Sequence, residues 1–256
     1  MLNEEQNVIA IVPMKRLTDG KSRLARTLTE EQRAEITLGM LRRVLKALGG
    51  ASINMICVIG GDDRVRKLAR DHDAICWTEL GKNLNETLSK AMDQVFMRGK
   101  AALYVAGDLP FVKPADIHSL LQASRRLGNV TLAPARRDGG TNAILVPRGV
   151  PFRPELGRNS FKKHLSKAAK LETSVAISYS PGLGFDLDII DDLRTYQHME
   201  PGLIERLAPS LRGSPLIAAL TESDADPDPD PKSKPAKQPD LLGPTWQGEQ
   251  RKSERG

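Results

Sequence analysis

The chain has 256 residues, a formal charge of +6, 39% hydrophobic residues and 4% aromatic residues. That length suits one large α/β domain or two small ones. No apolar run approaches the roughly 20 residues that span a bilayer, and the start, MLNEEQNVIA, lacks a basic stretch followed by an apolar one.

Residues 222–256 carry eight Asp/Glu and six Lys/Arg, which leaves 24 acidic and 32 basic residues in 1–221. A basic body suits phosphate-bearing ligands. With so few aromatics and no basic-aromatic stripe, base stacking on nucleic acid is poorly supported, and neither nucleic acid nor membrane is expected as a partner. Cys57 and Cys76 fall in apolar segments. They read as thiols of a cytoplasmic protein and not as a disulfide framework.

The apolar run at 8–12, VIAIV, predicts a strand buried on both faces. The loop MKRLTDGKSRLA follows, with Lys15, Arg16, Lys21 and Arg23 around Asp19-Gly20. Cations at the end of the first strand make a plausible phosphate cradle, although the P-loop spacing is absent. Thr29-Glu30-Glu31-Gln32 is a capping box. Ile36, Met40, Leu41, Val44, Leu45 and Leu48 then recur at helical spacing, and Gly49-Gly50 is expected to end that helix.

A second strand is predicted over 53–59. A short helix follows from Asp62-Asp63, where acids in the first turn suit the helix dipole. A third strand covers 74–78. Asn83 or Asn85 could cap the next helix, whose face carries Leu88, Met92, Val95 and Phe96. The apolar stretch at 102–106 predicts a buried strand that stops at Gly107-Asp108-Leu109-Pro110. Asp108 then sits just past the carboxyl end of a strand, the edge where open α/β sheets bind ligands. A carboxylate there could hold a divalent cation that in turn holds phosphates. An Asp that only caps a turn is the plain alternative.

Pro114 suits the first turn of a helix striped by Ile117, Leu120, Leu121 and Leu127. Strands over 129–135 and 143–146 flank the turn RRDGGTN. Its glycines would let backbone amides approach an anion, with Thr141 adding a hydroxyl, though a hairpin turn explains them too. Ser160 is expected to cap a helix over 161–169, with Gly157 and Arg158 at its amino end and Lys162, Lys163 and His164 adding positive field. His164 reads as a phosphate-field or surface residue. After a strand at 175–180 comes GFDLD, where Asp186 and Asp188, two apart, can face one cation if extended. Asp191 and Asp192 look like cap and first-turn residues of a further helix, and another short helix is expected over 202–207. From 222 the chain turns to DADPDPDPKSKPAKQPD, too polar to offset ordering entropy, and a disordered tail is predicted.

The order of VPMKRLTDGKSRLA, GDLP, RDGGTNAILV, ELGRNSFKKH and GFDLDIIDDL resembles the guanylyltransferases of coenzyme F420 biosynthesis, over roughly 8–198. These act on 2-phospho-L-lactate, or on phosphoenolpyruvate in the bacterial variant. The resemblance implies a single nucleotidyltransferase domain, here 1–221, similar to the glycosyltransferase-A fold: a mixed, mostly parallel sheet flanked by helices. It implies transfer of GMP from GTP to a three-carbon phospho-acid, with release of pyrophosphate and Mg2+ as cofactor. By resemblance, Asp108 and Asp188 hold the metal, and either acid of the DLD pair, Asp186 or Asp188, could be the second ligand. Lys15, Lys21 and Arg23 handle the GTP phosphates. Thr141, Gly157 and Ser160 hold the acceptor's phosphate, and Asn85 lies near the nucleotide. A homodimer and hand-over of product to the next pathway enzyme are the expected associations. The alternatives are a nucleotidyltransferase for a sugar phosphate, molybdopterin or 3-phosphoglycerate, or an inactive nucleotide-binding regulator.

Overall fold

The computed structural model describes residues 8–53, 55–124 and 128–221. Leu127 and the predicted tail lie outside the described residues. The chain alternates strand and helix through its first half: β1 (Val8–Met14), α1 (Glu30–Gly50), β2 (Met55–Gly60), α2 (Asp63–Arg70), β3 (Ile75–Trp77), α3 (Leu84–Met97), β4 (Ala101–Val105) and α4 (Pro114–Ala123). The second half runs β5 (Val130–Pro134), β6 (Thr141–Val146), α5 (Ser160–Lys170), β7 (Val175–Ile177), α6 (Pro181–Gly184), α7 (Ile190–Met199), α8 (Leu203–Leu207) and α9 (Pro215–Thr221). Two short 3-10 turns, Leu17–Asp19 and Ser22–Leu24, shape the loop after β1.

The strands form one seven-stranded sheet in the order β3-β2-β1-β4-β6-β5-β7. Every pairing is parallel except those of β6, which runs antiparallel to both β4 and β5. Central β1 is apolar on both faces because helices cover both sides of a sheet built from crossovers. Ile9, Ala10, Ile11 and Val12 are fully or almost fully buried. Two cores result. The larger packs the sheet against its helices. A second joins Leu24, Leu28, Ile36 and Met40 to Leu187, Leu193, Tyr196, Ile204 and Leu207. No helix among the described residues is long and apolar enough to cross a membrane.

Local signals hold at several helix starts. Thr29 and Gln32 form the capping box of α1, and Asn83 caps α3 by accepting from Glu86 N–H. Asp62 caps α2, accepting from Arg64 and Val65 N–H, so the Asp62-Asp63 pair serves a helix start. α1 ends at Gly50, where the Gly49-Gly50 pair is expected to end it, with Ala51 as its cap. A Cβ at Gly50 would lie 2.7 Å from Pro114 Cγ, so this glycine gives α4 room to approach. Asn159, with a left-handed φ of 56°, occupies the cap position of α5, and Ser160 is the first residue inside the helix.

Candidate active site

Three segments meet at the carboxyl ends of β1 and β4. The first is the basic loop after β1. Leu17 N–H donates to Asp62 Oδ2 (3.0 Å), Arg33 Nη1 donates to the Gly20 carbonyl (2.9 Å), and Leu24 is buried in the second core. These anchors hold Lys21, itself at a left-handed φ of 49°, facing inward. The second is the turn after β4. A Cβ on Gly107 would collide with Met14 Sδ, so any other residue there would require the Met14 side chain to move. The third is 186–188. Leu187 N–H donates to the Asp108 carbonyl (3.4 Å), and Tyr196 Oη donates to the Asp186 carbonyl (2.7 Å).

The result is a charge triad. Lys21 Nζ donates to Asp108 Oδ2 (2.6 Å) and Asp188 Oδ1 (3.0 Å), with the lysine side chain only 7% exposed. Burial alone would lower its ammonium, but Asp108 and then Asp188 outweigh this, and its pKa ends above the usual lysine value. For Asp188, burial acts upward, but Lys21, Arg137 and Arg23 together hold the carboxyl below its ordinary value. Asp186 behaves oppositely. Burial first, then the charges of Asp108 and Asp188, push its carboxyl up to about 6.

Around this triad lies a cavity of about 540 Å³ lined by Lys15, Arg16, Lys21, Arg23, Asp108 and Asp188, and floored by Tyr104 and Gly107. Its far wall is the 79–87 segment, including Lys82 and Asn83. A basic, concave site of this size at the switch of an α/β sheet suits a nucleotide.

A divalent cation of the magnesium type is commonly held by one or two carboxylates, with phosphate oxygens and water completing the shell. Asp108 and Asp188 converge on a single point where Lys21 Nζ now sits, so the donor set fits such an ion. Among the described residues no group of three or more His, Cys, Asp or Glu forms a cage.

The other residues singled out in the sequence form a second group. Thr141 Oγ1 is 3.0 Å from His164 Nδ1, and Ser160 Oγ is 3.1 Å from Thr141 Oγ1. Ser160 therefore spends its hydroxyl on Thr141 and not on capping α5. His164 is fully buried and not a surface residue. Gly157 is exposed at φ +125°, and its carbonyl accepts from Ser160 N–H (3.0 Å). Asn85 exchanges two hydrogen bonds with the Leu156 backbone, 2.7 and 3.2 Å, tying α3 to the loop before α5.

The sheet register joins the two groups. Val105 pairs with Ala143, and Ala106 N–H donates to the Asn142 carbonyl (2.8 Å). Thr141, next to Asn142 on β6, is thereby brought to the sheet edge where the chain leaves β4 through Gly107 and Asp108.

Arg137 and Arg43 carry no clear local signal, whereas Asp192 lies in the first turn of α7 as the sequence suggests. Arg137 Nη1 pairs with Asp192 (2.8 Å) and its Nη2 with Asp188 Oδ2 (3.4 Å). Asp192 Oδ2 accepts from Asp188 N–H (2.6 Å) and Ile189 N–H (2.9 Å), which fixes the backbone at Asp188. Arg43 Nη1 donates to the Pro110 carbonyl (2.7 Å) and steadies the turn after Asp108.

Comparison with known proteins is consistent along most of the chain. A phosphoenolpyruvate guanylyltransferase of Rubrobacter xylanophilus is 36% identical over 190 residues, 73% of this chain and 92% of the relative. A 2-phospho-L-lactate guanylyltransferase of Methanothrix thermoacetophila is 35% identical over 189 residues, 73% and 81% of the two chains. Among solved structures, a nucleotidyl transferase from Methanothermobacter thermautotroptrophicus shares the fold, with a TM-score of 0.52 at 15% identity, over 77% of this chain and 98% of that one. Residues 8–198 match the family model for CofC-like guanylyl transferases, so the chain belongs to that family of nucleotidyltransferases.

Proposed function

We propose that this protein transfers the GMP unit of GTP to the phosphate of a three-carbon phospho-acid, phosphoenolpyruvate or 2-phospho-L-lactate, in coenzyme F420 biosynthesis. The observation that carries the reading is the Lys21 ammonium seated between Asp108 and Asp188 in a basic cavity. The two relatives named above act, by their names, on these two acceptors.

In this reading Lys15, Lys21 and Arg23 neutralise the phosphates of GTP. Asp108 and Asp188 would hold magnesium, which would supply further neutralisation of phosphate charge. Asp186 sits behind them as the third acid. Thr141, Ser160 and the backbone at Gly157 hold the acceptor's phosphate, and Asn85 fixes the loop that carries Gly157. An acceptor phosphate oxygen attacks the α-phosphorus, the α–β phosphoanhydride bond breaks, and pyrophosphate leaves with the electron pair. The attacking oxygen is already anionic, so no general base is needed. Positioning and charge neutralisation supply the rate.

The test is pyrophosphate release from GTP and magnesium, with phosphoenolpyruvate, 2-phospho-L-lactate and 3-phosphoglycerate in parallel and ATP as control. An enzyme that consumes the mixed-diphosphate product is included. GTP-selective release with one of the first two acceptors is expected. Silence with all of them, from folded protein, refutes the reading.

A further inference from the structure

The Thr141–Ser160–His164 cluster is wired in a way that the reaction above does not by itself explain. Glu155 N–H points at His164 Nε2 across 2.8 Å. A backbone N–H can only donate, so Nε2 presents a lone pair. A neutral imidazole with a free Nε2 carries its hydrogen on Nδ1. An imidazolium would set an Nε2 hydrogen against the Glu155 amide, so the geometry selects the neutral ring. Nδ1 therefore donates to Thr141 Oγ1 at 3.0 Å.

The hydrogens of the two hydroxyls can now be counted. Thr141 and Ser160 bring one each, and one is used between them at 3.1 Å. The other is left to donate beyond the pair, whichever hydroxyl carries it. Had Nδ1 been the acceptor, Thr141 would have spent its hydrogen on the ring and Ser160 its own on Thr141, leaving none. The tautomer thus decides whether this pair offers a ligand one donor or zero. Three further features fix the ring: it is fully buried, it lies 5.7 Å from the Phe152 ring, and it stands one helical turn after Ser160 on α5. The charged groups around it are Glu155, Lys163 and Lys167, and burial first, then Lys167, push the imidazole down to about 4. It is neutral at pH 7.

We propose that His164 is a positioning residue of the acceptor site, locking the Thr141–Ser160 pair as a net donor toward an anionic phosphate oxygen. The inference rests on the acceptor-site reading given above.

The test uses two substitutions that split the ring's two bonds. His164→Asn keeps an N–H near the Nδ1 position and loses the acceptor for Glu155. His164→Gln keeps an oxygen acceptor near Nε2 and loses the donor to Thr141. The expected result is a roughly 10- to 100-fold rise in the acceptor KM for His164→Gln, as for loss of a hydrogen bond to a charged group. The GTP KM stays within about twofold in both variants, and His164→Asn stays within about threefold on the acceptor. Equal damage in both variants, or an unchanged acceptor KM in His164→Gln, overturns the proposal. Thr141→Val separates the two levels of the argument. If it leaves the acceptor KM unchanged, the acceptor-site reading fails. If it raises that KM while His164→Gln does not, only the role of His164 fails. The wild-type protein gives a check that needs no variant to fold. In 15N-histidine-labelled protein at pH 7, His164 should show the Nδ1–H neutral tautomer, and an Nε2–H or doubly protonated ring would overturn the proposal.

Discussion

Lys21→Met probes the charge triad directly. Methionine keeps a side chain of similar length at the same left-handed backbone position, so the comparison isolates the ammonium. Its two contacts are 2.6 and 3.0 Å long, and the carboxylates they reach are 32% and 31% exposed. That exposure calls for a water-like permittivity, which gives about 1.5 kcal/mol per contact. The cost of burying the ammonium offsets part of this, leaving a net loss on the order of 1–2 kcal/mol. For a domain of this size the loss corresponds to a Tm lower by roughly 3–6 °C in EDTA. The same substitution vacates the point on which Asp108 and Asp188 converge. Magnesium without nucleotide should then stabilise the variant more than the wild type, by roughly 1.4 kcal/mol at ten times its Kd. Differential scanning fluorimetry across a magnesium series reads both effects. An unchanged Tm in EDTA, or equal magnesium responses in the two proteins, would refute the view that lysine and metal share one seat.

Asp108→Asn should lower turnover by about 100-fold or more while moving Tm by no more than about 3 °C, measured by pyrophosphate release and thermal melting. Near-normal turnover removes Asp108 from the reaction. Asp186 gives a pH signature. Its folded pKa, about 6, lies above the unfolded value, so the folded state holds the extra proton between about pH 4 and pH 6 and stability falls as pH rises through that window. Asp186→Asn should therefore stabilise the metal-free protein by about 1–2 kcal/mol at pH 7 and leave it unchanged at pH 4; equal effects at the two pH values would rule this out. Gly39→Ala should cost about 2 kcal/mol or more in urea unfolding with both KM values intact, because a Cβ there would lie 2.5 Å from the Leu207 carbonyl oxygen where α1 meets α8. A neutral result would show that the α1–α8 contact yields easily.

What the sequence revealed was mostly what is local. The apolar run of β1, the capping box at Thr29 and the stop at Gly107–Pro110 each act within a few residues, and all three stand in the structure. The strand-end position of Asp108 followed from their order, and the mixed sheet from the family resemblance. The end of α1 at Gly50 was legible too, but not the close approach of Gly50 to Pro114, which lies 64 positions away. Ser160 has the composition of a cap, yet its hydroxyl goes to Thr141, an interaction visible only once β6 and α5 are brought together. Arg137 looked like one more charge in a polar turn; its partners Asp188 and Asp192 are more than 50 residues downstream. His164 carried the least signal of all, since both of its ring bonds depend on the fold.

The antiparallel course of β6 has a consequence for how the two residue groups of the site meet. In an all-parallel sheet, neighbouring strands both exit at the same edge, each followed by a crossover. Reversing β6 lets one strand leave that edge at Asp108 while its neighbour enters it at Thr141. Adjacent strands are separated by about 4.8 Å. The spacing between the Asp108 group and the Thr141 group is thus gauged by a backbone ladder, among the stiffest rulers a protein has, and not by the closing of a loop.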